Sequence, residues 1–324
     1  MPKSLLEEAR RVFLEVTNHC NFRCSFCPQG ISKRPPEHMD TKLAKDLINQ
    51  LCEVGYQSNF YFHILGEPLL HPDIFEIVEF ASERLPKSIL FTNGSLLTSQ
   101  NIESVFEAQP HELMISMQMI DEGSFDLRGS SMNWDRYLSG IRNAVQYRLA
   151  HNTPLLLRIS VGMRKEDSSY PNDDYFPRLS KASLRSNMLE LFSDIPGVDL
   201  DSVQKILNST DIPFNGWLEL ASGVYVSMKP MGNWRRIYRD RKVEKRYCPL
   251  AGKEFGILSN GNTVFCHLDY DGKTTFANAG DGELRNILKS GIEKEIAKFC
   301  KDGIVPSGCQ YCNVPYRHPE QPAH

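Results

Sequence analysis

The stretch CNFRCSFC, residues 20–27, contains three cysteines at C-x3-C-x2-C spacing near the start of the chain. It directly follows a strand-like run at residues 12–17. Three thiolates, here Cys20, Cys24 and Cys27, can hold three irons of a 4Fe–4S cube. The fourth iron then has no protein ligand and is open to an outside molecule, as in an open catalytic zinc site. A closed structural zinc site, in contrast, normally needs four ligands.

The motif, with the aromatic Phe26 directly before the third cysteine, resembles that of the radical S-adenosylmethionine (radical SAM) superfamily. In that family the amino and carboxylate groups of SAM chelate the open iron. An electron from the cluster cleaves SAM to methionine and a 5′-deoxyadenosyl radical, which takes a hydrogen atom from the substrate. The resemblance implies metal-binding and catalytic roles for the three cysteines and a cofactor contact for Phe26. A zinc knuckle or a cluster of reduced cysteines is the alternative.

Composition sets the broad class of the protein. Of 324 residues, 41% are hydrophobic and 24% are charged, which is ordinary for a soluble globular protein. No run approaches the roughly 18 apolar residues of a membrane span, and the net charge of −3 gives no indication of a nucleic-acid partner. The N-terminus lacks the apolar core of a secretory signal. Nine cysteines without an export signal favour metal binding over disulfides, so we expect a cytoplasmic protein with no membrane contact.

Strand-like and helix-like segments alternate from residue 12 to about residue 162. The predicted strands are 12–17, 59–65, 88–92, 112–117 and 155–161, and the predicted helices are 40–54, 71–84, 98–107 and 133–150. Alternation of this kind implies parallel strands with right-handed crossovers, and chemistry at the carboxyl ends of the strands. The resemblance narrows this α/β class to a partial (β/α)6 barrel, open on one side.

The first of these helices shows the local signals most clearly. It has an apolar face of 3.6-residue period, Asp40 as N-cap and Gly55 as stop. Cys52 lies near this face and is expected to be buried.

We divide the chain at residue 232. Residues 1–232 form the predicted barrel, and residues 233–324 form a small C-terminal domain. An insertion at about 164–216 breaks the alternation; it contains helices near 179–193 and 200–208 and could cover the open barrel face. Residues 217–229 alternate again and are expected to supply the sixth barrel strand.

A second group of cysteines lies in the C-terminal domain. Cys248 and Cys266 flank Gly261 in a C-x12-G-x4-C pattern, and Cys309 and Cys312 follow. An Asn-Gly turn between apolar runs predicts a β-hairpin just before Cys266. These four thiolates could close an iron–sulfur cube or a zinc site. The spacing resembles the SPASM/Twitch extension of radical SAM enzymes and implies an auxiliary 4Fe–4S cluster on the four residues, in the shorter, Twitch-like form.

Cys300 lies outside both cysteine groups, in a helical stretch at residues 292–300. Three interpretations are open: a buried packing residue, a catalytic thiol that quenches a radical, or an additional cluster ligand.

The resemblance also implies a SAM site. Gly66-Glu67-Pro68 follows the second predicted strand and resembles the family's Gly-Gly-Glu segment, with Leu65 in place of the first glycine. In the family this segment binds the SAM ammonium through backbone carbonyls and the Glu side chain, and such acceptors suit a cation. Further cofactor-binding residues are implied where the third and fourth strands end. They are Thr92, Asn93, Ser116 and Gln118.

Two arginines complete the candidate catalytic set. Arg128-Gly129 is similar to an Arg-Gly pair that precedes the fourth helix in many relatives, so Arg128 could pair with the SAM carboxylate or the substrate. The alternative for Arg128 is a surface salt bridge. Arg158 is a charge inside an apolar strand and needs a partner, which makes it a candidate for the barrel mouth.

The single auxiliary cluster resembles that of aminocyclitol dehydrogenases and sugar epimerases of antibiotic pathways. A small polar substrate (a sugar, an aminocyclitol or a nucleoside) is therefore predicted. Net oxidation is favoured, with the auxiliary cluster as electron acceptor, because only Cys52 and Cys300 remain as thiols that could return a hydrogen atom. The alternatives are a redox-neutral epimerase or decarboxylase, a peptide-modifying maturase, and a non-catalytic iron–sulfur or zinc protein.

Two partners follow from this hypothesis. An electron donor such as flavodoxin or ferredoxin is expected to reduce the first cluster. Residues 233–246 contain seven Lys or Arg residues against two acids, so they are either a solvated linker or a site for an anionic substrate.

Overall fold

The computed structural model describes residues 9–163, 181–193, 195–201, 204, 217–230, 234–238, 242–289 and 292–312. The chain divides into two compact units. The first unit comprises residues 1–20, 28–88 and 234–324, and the second unit comprises residues 21–27 and 89–233. These discontinuous units differ from the single boundary expected at residue 232, and the domain assignment itself stays a prediction.

Ten strands are described in chain order. They are β1 (Arg11–Leu14), β2 (Asn59–Tyr61), β3 (Ser88–Thr92), β4 (Glu112–Gln118), β5 (Leu156–Met163), β6 (Trp217–Ala221), β7 (Val224–Pro230), β8 (Glu254–Ile257), β9 (Asn262–Val264) and β10 (Ala277–Asn278). The described helices are α1 (Thr41–Glu53), α2 (Ile74–Ser82), α3 (Ser99–Ala108), α4 (Glu122–Phe125), α5 (Trp134–Ala150), α6 (Lys181–Phe192), α7 (Leu284–Lys289) and α8 (Ile292–Asp302).

In the first unit, β1 is the central strand and lies parallel to both β2 and β8. β8 and β9 form an antiparallel hairpin, and β10 extends it. The hairpin turns at Gly261, whose φ of +83° suits glycine, as the Asn-Gly signal predicted. Phe13, Ile64, Leu258 and Val264 pack together beside β1. The strand that leads to Cys20 is therefore paired with the hairpin that leads to Cys266.

In the second unit, β3, β4, β5 and β7 follow one another in parallel. β6 pairs antiparallel with β7. The second half of the segment 217–229 thus provides the further parallel strand that was expected. Its first half forms a separate strand that runs antiparallel to the second half. Parallel pairing with helices between the strands confirms the α/β class and is consistent with a partial barrel. No helix in the described ranges has the length and apolar character needed to cross a membrane.

The predicted helices agree with the structure to within a few residues, and α1 shows why. Oδ1 of Asp40 accepts the Leu43 N–H at 2.9 Å, as an N-cap does. The buried face of α1 consists of Ala44, Leu47, Ile48 and Leu51.

The expectation that Cys52 is buried is wrong, because one step of about 100° past Leu51 carries its side chain to the exposed side. In the predicted insertion, α6 matches the helix near 179–193. Residues 164–180 and most of 200–208 lie outside the described residues.

Candidate active site

Main-chain hydrogen bonds hold the part of the first cysteine loop that belongs to the second unit. The N–H groups of Arg23 and Ser25 donate to the carbonyls of Arg128 and Leu127 at 3.1 and 2.9 Å. The Cys27 N–H donates to the Cys24 carbonyl at 3.0 Å and closes a turn. The loop geometry therefore depends on residues 127–128 and not on the cysteines alone.

Phe26 is a packing residue of this loop. It is buried and packs with Met119, and Cys24 and Cys27 lie against the same cluster. The cofactor contact expected for Phe26 stays a prediction.

The surroundings of Cys24 disfavour the deprotonated form of its thiol. Burial raises the pKa of Cys24, and the positive charge of Arg128 opposes that shift. A poorly solvated thiol of this kind is deprotonated most readily by a bound metal, which takes the place of the proton. The setting fits a residue that ligates iron.

Arg128 braces the loop against the ends of two strands. Its side chain is 2% exposed, and Nη1 donates to the carbonyls of Ser116 and Met117 at 2.7 and 2.9 Å. Nη2 donates to the Asn93 carbonyl at 3.2 Å. The guanidinium also lies 4.8 Å from the ring centre of Phe22. A surface salt bridge is therefore wrong as an interpretation, because the side chain is buried among carbonyls. A catalytic role for Arg128 stays a prediction.

The backbone at position 129, directly after Arg128, requires a glycine. It has a φ of +57°, and a Cβ there would stand 2.4 Å from the Arg23 carbonyl oxygen. Only glycine allows the chain to approach the loop this closely.

The second unit brings together the four polar residues predicted at the strand ends. Thr92 Oγ1 accepts the Gly94 N–H at 3.1 Å, and Asn93 Nδ2 donates to Asn21 Oδ1 at 3.0 Å. Gln118 has a left-handed backbone, with φ of 64°, and its Nε2 donates to Ser116 Oγ. Among the described residues no hydrogen-bond partner lies near the buried Oε1 of Gln118. A buried acceptor at the carboxyl end of a strand is suited to receive a ligand hydroxyl.

In the first unit, Gly66 and Glu67 lie against the residues that precede Cys20. Gly66 has a φ of +82°, and a Cβ there would stand 2.2 Å from the Thr17 carbonyl oxygen and 2.9 Å from that of His19. The Glu67 N–H donates to the His19 carbonyl at 2.7 Å. The segment that resembles the family's ammonium-binding motif is therefore fastened to the start of the cysteine loop. Leu65 is buried in the core, so its side chain takes up space that a glycine would leave empty.

Glu67 also caps a short helix, which sequence reasoning missed. Its side chain is 0% exposed, and Oε1 accepts the Leu69 N–H at 3.1 Å. The capped element is the 3-10 turn Pro68–Leu70. An acid one residue before a proline and a short turn is a recognisable capping signal.

We expect Glu67→Gln to weaken SAM binding by roughly 1.5–3 kcal/mol, the value of a hydrogen bond to a charged group. The amide oxygen of Gln can still accept the Leu69 N–H, so the melting temperature should change little. Anaerobic SAM titration and thermal unfolding measure the two effects. Glu76→Gln, at an exposed ion pair with Lys45, is the matched control. Unchanged affinity with a lower melting temperature would show that Glu67 is only a cap.

The four half-buried cysteines of the second set lie close to one another within the first unit. Burial raises the pKa of Cys248, Cys266 and Cys309, in the case of Cys309 to about 12. Charges on Glu254, Cys309 and Cys248 raise the pKa of Cys266 further, and charges on Cys312, Cys248 and Asp269 do so for Cys309. Thiols influence one another in this way only when they are close together. Within the described ranges, no three His, Cys, Asp or Glu side chains converge on a single-ion position.

Arg246 supports this four-thiol group. Its Nη1 donates to the Cys312 carbonyl at 2.6 Å, and its charge lowers the pKa of Cys248 and of Cys309. Lys242 pairs with Glu244 at 3.4 Å. These two members of the basic segment 233–246 therefore have partners in the protein, and residues 239–241 lie outside the described ranges.

Cys300 is exposed on α8. Its Sγ donates to the Ala251 carbonyl at 3.5 Å, three residues beyond Cys248. The interpretation as a buried packing residue is therefore wrong, because the helix presents this position to solvent. The catalytic interpretation and the additional-ligand interpretation stay predictions.

Arg158 has a partner in the sheet. It is the third residue of β5, and its Nε lies 3.2 Å from Glu112 Oε2. Glu112 is the first residue of β4, so the pair lies toward the amino end of that strand. Ser116 and Gln118 lie toward its carboxyl end. The guanidinium also lies 4.5 Å from the Trp217 ring centre. The sequence predicted that Arg158 needs a partner, but it did not predict where in the sheet that partner lies. A catalytic role for Arg158 stays a prediction.

Comparison of the sequence with known proteins identifies relatives. The chain is 35% identical over 97 residues to an S-adenosyl-L-methionine-dependent 2-deoxy-scyllo-inosamine dehydrogenase of Niallia circulans, covering 29% of this chain and 39% of the relative. It is 25% identical over 262 residues to a PqqA peptide cyclase of Bradyrhizobium diazoefficiens, covering 75% and 67%. The match thus spans less than half the length of the dehydrogenase.

Solved structures share the fold. BtrN in complex with AdoMet and 2-DOIA superposes with a TM-score of 0.50 at 17% identity, covering 91% of this chain and 88% of that one. SuiB of Streptococcus suis bound to the precursor peptide SuiA superposes with a TM-score of 0.59 at 15% identity, covering 94% and 69%. Residues 14–170 match the Radical SAM superfamily by sequence. The matched region, which contains the C-x3-C-x2-C loop and the Gly66–Pro68 segment, is a radical SAM domain.

Proposed function

We propose that the protein is a radical SAM oxidoreductase that oxidises a small polar substrate such as a sugar, an aminocyclitol or a nucleoside. The observation that carries the proposal is the half-buried four-thiol group of the first unit, in a chain whose first three cysteines already form a radical SAM motif. When bound, two 4Fe–4S clusters and SAM supply the 5′-deoxyadenosyl radical and an acceptor for the electron that oxidation releases.

The residues divide between two cluster sites. Cys20, Cys24 and Cys27 would hold the SAM-binding cluster. Cys248, Cys266, Cys309 and Cys312 would hold the auxiliary cluster of a Twitch-like extension. The raised pKa values of Cys266 and Cys309 support this assignment, because bound iron removes the cost of a poorly solvated thiolate.

The relatives support a small substrate. The relative with 35% identity is named a dehydrogenase of an aminocyclitol, and BtrN was solved with AdoMet and 2-DOIA. A peptide substrate is the second candidate, because the peptide cyclase relative covers 75% of this chain and SuiB was solved with a precursor peptide. A flavodoxin or ferredoxin would serve as electron donor in either case, and the cytoplasm is the compartment that we expect.

The proposed function is tested by anaerobic reconstitution followed by iron and zinc analysis. We expect about eight irons per chain, four for each cluster, since each 4Fe–4S cluster is held by its own cysteine set. Incubation with SAM, reductant and deuterated candidate sugars, aminocyclitols, nucleosides or peptides should then transfer deuterium to 5′-deoxyadenosine for the correct class. Iron near four with tightly bound zinc would contradict the auxiliary cluster, and transfer from peptides alone would favour the second candidate.

Cys300 decides between oxidation and a redox-neutral outcome. Its exposed thiol could return a hydrogen atom to the substrate radical, which would make the enzyme an epimerase or a related catalyst. We expect Cys300→Ala to cleave SAM and to form product at the wild-type level in a single turnover, with no solvent deuterium at carbon.

Cys52→Ala, at a second exposed cysteine, is the matched control for the loss of a thiol. If Cys300→Ala alone loses product while the wild-type product carries solvent deuterium at carbon, the oxidation proposal is wrong.

A further inference from the structure

Glu15 is a fully buried carboxylate at the end of β1, and it receives hydrogen bonds from three separate segments. It is 0% exposed, and its Oε2 accepts the Leu65 N–H at 3.0 Å. Its Oε1 accepts both the N–H and the Oγ–H of Ser259, at 3.1 and 3.0 Å. Arg34 Nη2 lies 2.7 Å from the same carboxylate. One side chain therefore joins β1, the segment that leads to Gly66 and the turn of the β8–β9 hairpin.

Arg34 extends this connection toward the auxiliary cysteines. Its Nε donates to the Tyr270 carbonyl at 2.8 Å. Ser32 Oγ and the Lys33 N–H both donate to Asp271 Oδ1, at 2.8 and 3.1 Å. The segment 32–34, just past the first cysteine loop, is thus hydrogen-bonded to residues 270 and 271, which follow Cys266 in the chain.

A buried ion pair of this kind adds little net stability compared with a well-packed apolar replacement. The ion pair instead restrains the positions of the groups around it, because a buried carboxylate that loses its donors has a large desolvation penalty. If the hairpin turn shifts, Glu15 loses the two bonds from Ser259, and it must either lose or rearrange those to Arg34 and Leu65. Leu65 directly precedes Gly66, which is itself fixed against the Thr17 carbonyl.

We propose that Glu15 is a positioning residue that couples SAM binding at residues 66–68 to occupancy of the auxiliary four-thiol site. The proposal rests on the proposed function, since it requires both clusters. A filled auxiliary site holds the hairpin, Ser259 then orients Glu15, and Glu15 fixes Leu65 and the segment that follows it. Because coupling free energies are reciprocal, SAM should in turn stabilise the auxiliary site.

The test is a double-mutant cycle on SAM affinity. The auxiliary site is emptied by Cys309→Ala with Cys312→Ala, in the wild-type background and in Glu15→Gln, and SAM binding is titrated on the reconstituted proteins. Loss of the auxiliary cluster should weaken SAM binding about fivefold or more in the wild-type background, the lower range of measured couplings. In Glu15→Gln the same loss should change SAM affinity by less than about twofold.

Glu112→Gln is the control, because it also removes the charge of a buried glutamate paired with an arginine but lies in the second unit. It should leave the fivefold effect intact. If Glu15→Gln does not fold, Ser259→Ala removes only the hydroxyl bond and should reduce the coupling in part.

The outcomes separate the two proposals. Equal loss of SAM affinity in both backgrounds, in protein that carries about eight irons before the auxiliary site is emptied, overturns the coupling and leaves the proposed function standing. A wild-type iron content near four overturns both.

Discussion

Replacement of Cys20, Cys24 and Cys27 together by Ala is expected to abolish SAM cleavage. These thiolates are the only ligands that the motif offers to the SAM-binding cluster, so their loss removes both the electron source and the open iron. The second set of cysteines forms a separate group and should retain about four irons per chain. Formation of 5′-deoxyadenosine with a chemical reductant, measured beside iron content, checks both expectations.

The matched variant is Cys309→Ala with Cys312→Ala. It should lose the other four irons, keep SAM cleavage and unfold at a lower temperature, because metal binding to the folded state no longer stabilises this site. Cleavage by the triple variant at the wild-type rate would show that the C-x3-C-x2-C loop is not the SAM-binding site.

The second large effect is expected from Gly66→Ala. The new Cβ would stand 2.2 Å from the Thr17 carbonyl oxygen, at a φ of +82° that residues with a Cβ avoid. Backbone strain and overpacking together should lower the free energy of unfolding by roughly 2–5 kcal/mol. Because Thr17 and His19 precede Cys20, the displacement should also weaken SAM binding more than Glu67→Gln does. Denaturant unfolding and SAM titration measure the two quantities.

Gly282→Ala is the control, since a Cβ at Gly282 meets no atom within 4 Å. It should change neither stability nor SAM affinity by more than experimental error. If Gly66→Ala behaves like this control, the contact between Gly66 and the Thr17 carbonyl does not exist in solution, and the fastening of residues 66–68 to the cysteine loop is wrong.

Local sequence signals were sufficient to predict those elements whose conformation or chemistry depends on only a few neighbouring residues. The predicted strand 88–92 matches β3 residue for residue, because a short apolar run between turn signals has few alternatives. Asp40 caps α1 as predicted, and the Asn-Gly turn forms the hairpin. The cysteine spacing indicated the superfamily, since the three expected cluster ligands lie within eight residues of the chain.

Side-chain partners distant in sequence were beyond the reach of these signals. Arg128 is buried among strand-end carbonyls, Arg158 pairs with Glu112, and Cys300 is exposed although its helix suggested burial. In each case the sequence marked the residue as unusual but did not predict its surroundings. A local pattern cannot specify which distant residue will lie beside it.

The sequence by itself determined the α/β class, the cysteine loop and the second set of thiols, because each depends on periodicity or on spacing along the chain. Only the tertiary structure decided that Glu15 receives donors from Arg34, Leu65 and Ser259. Those donors lie between 19 and 244 residues away. A buried carboxylate needs compensating donors wherever the fold can supply them, and the pairing of β1 with both β2 and β8 brings Leu65 and Ser259 to it.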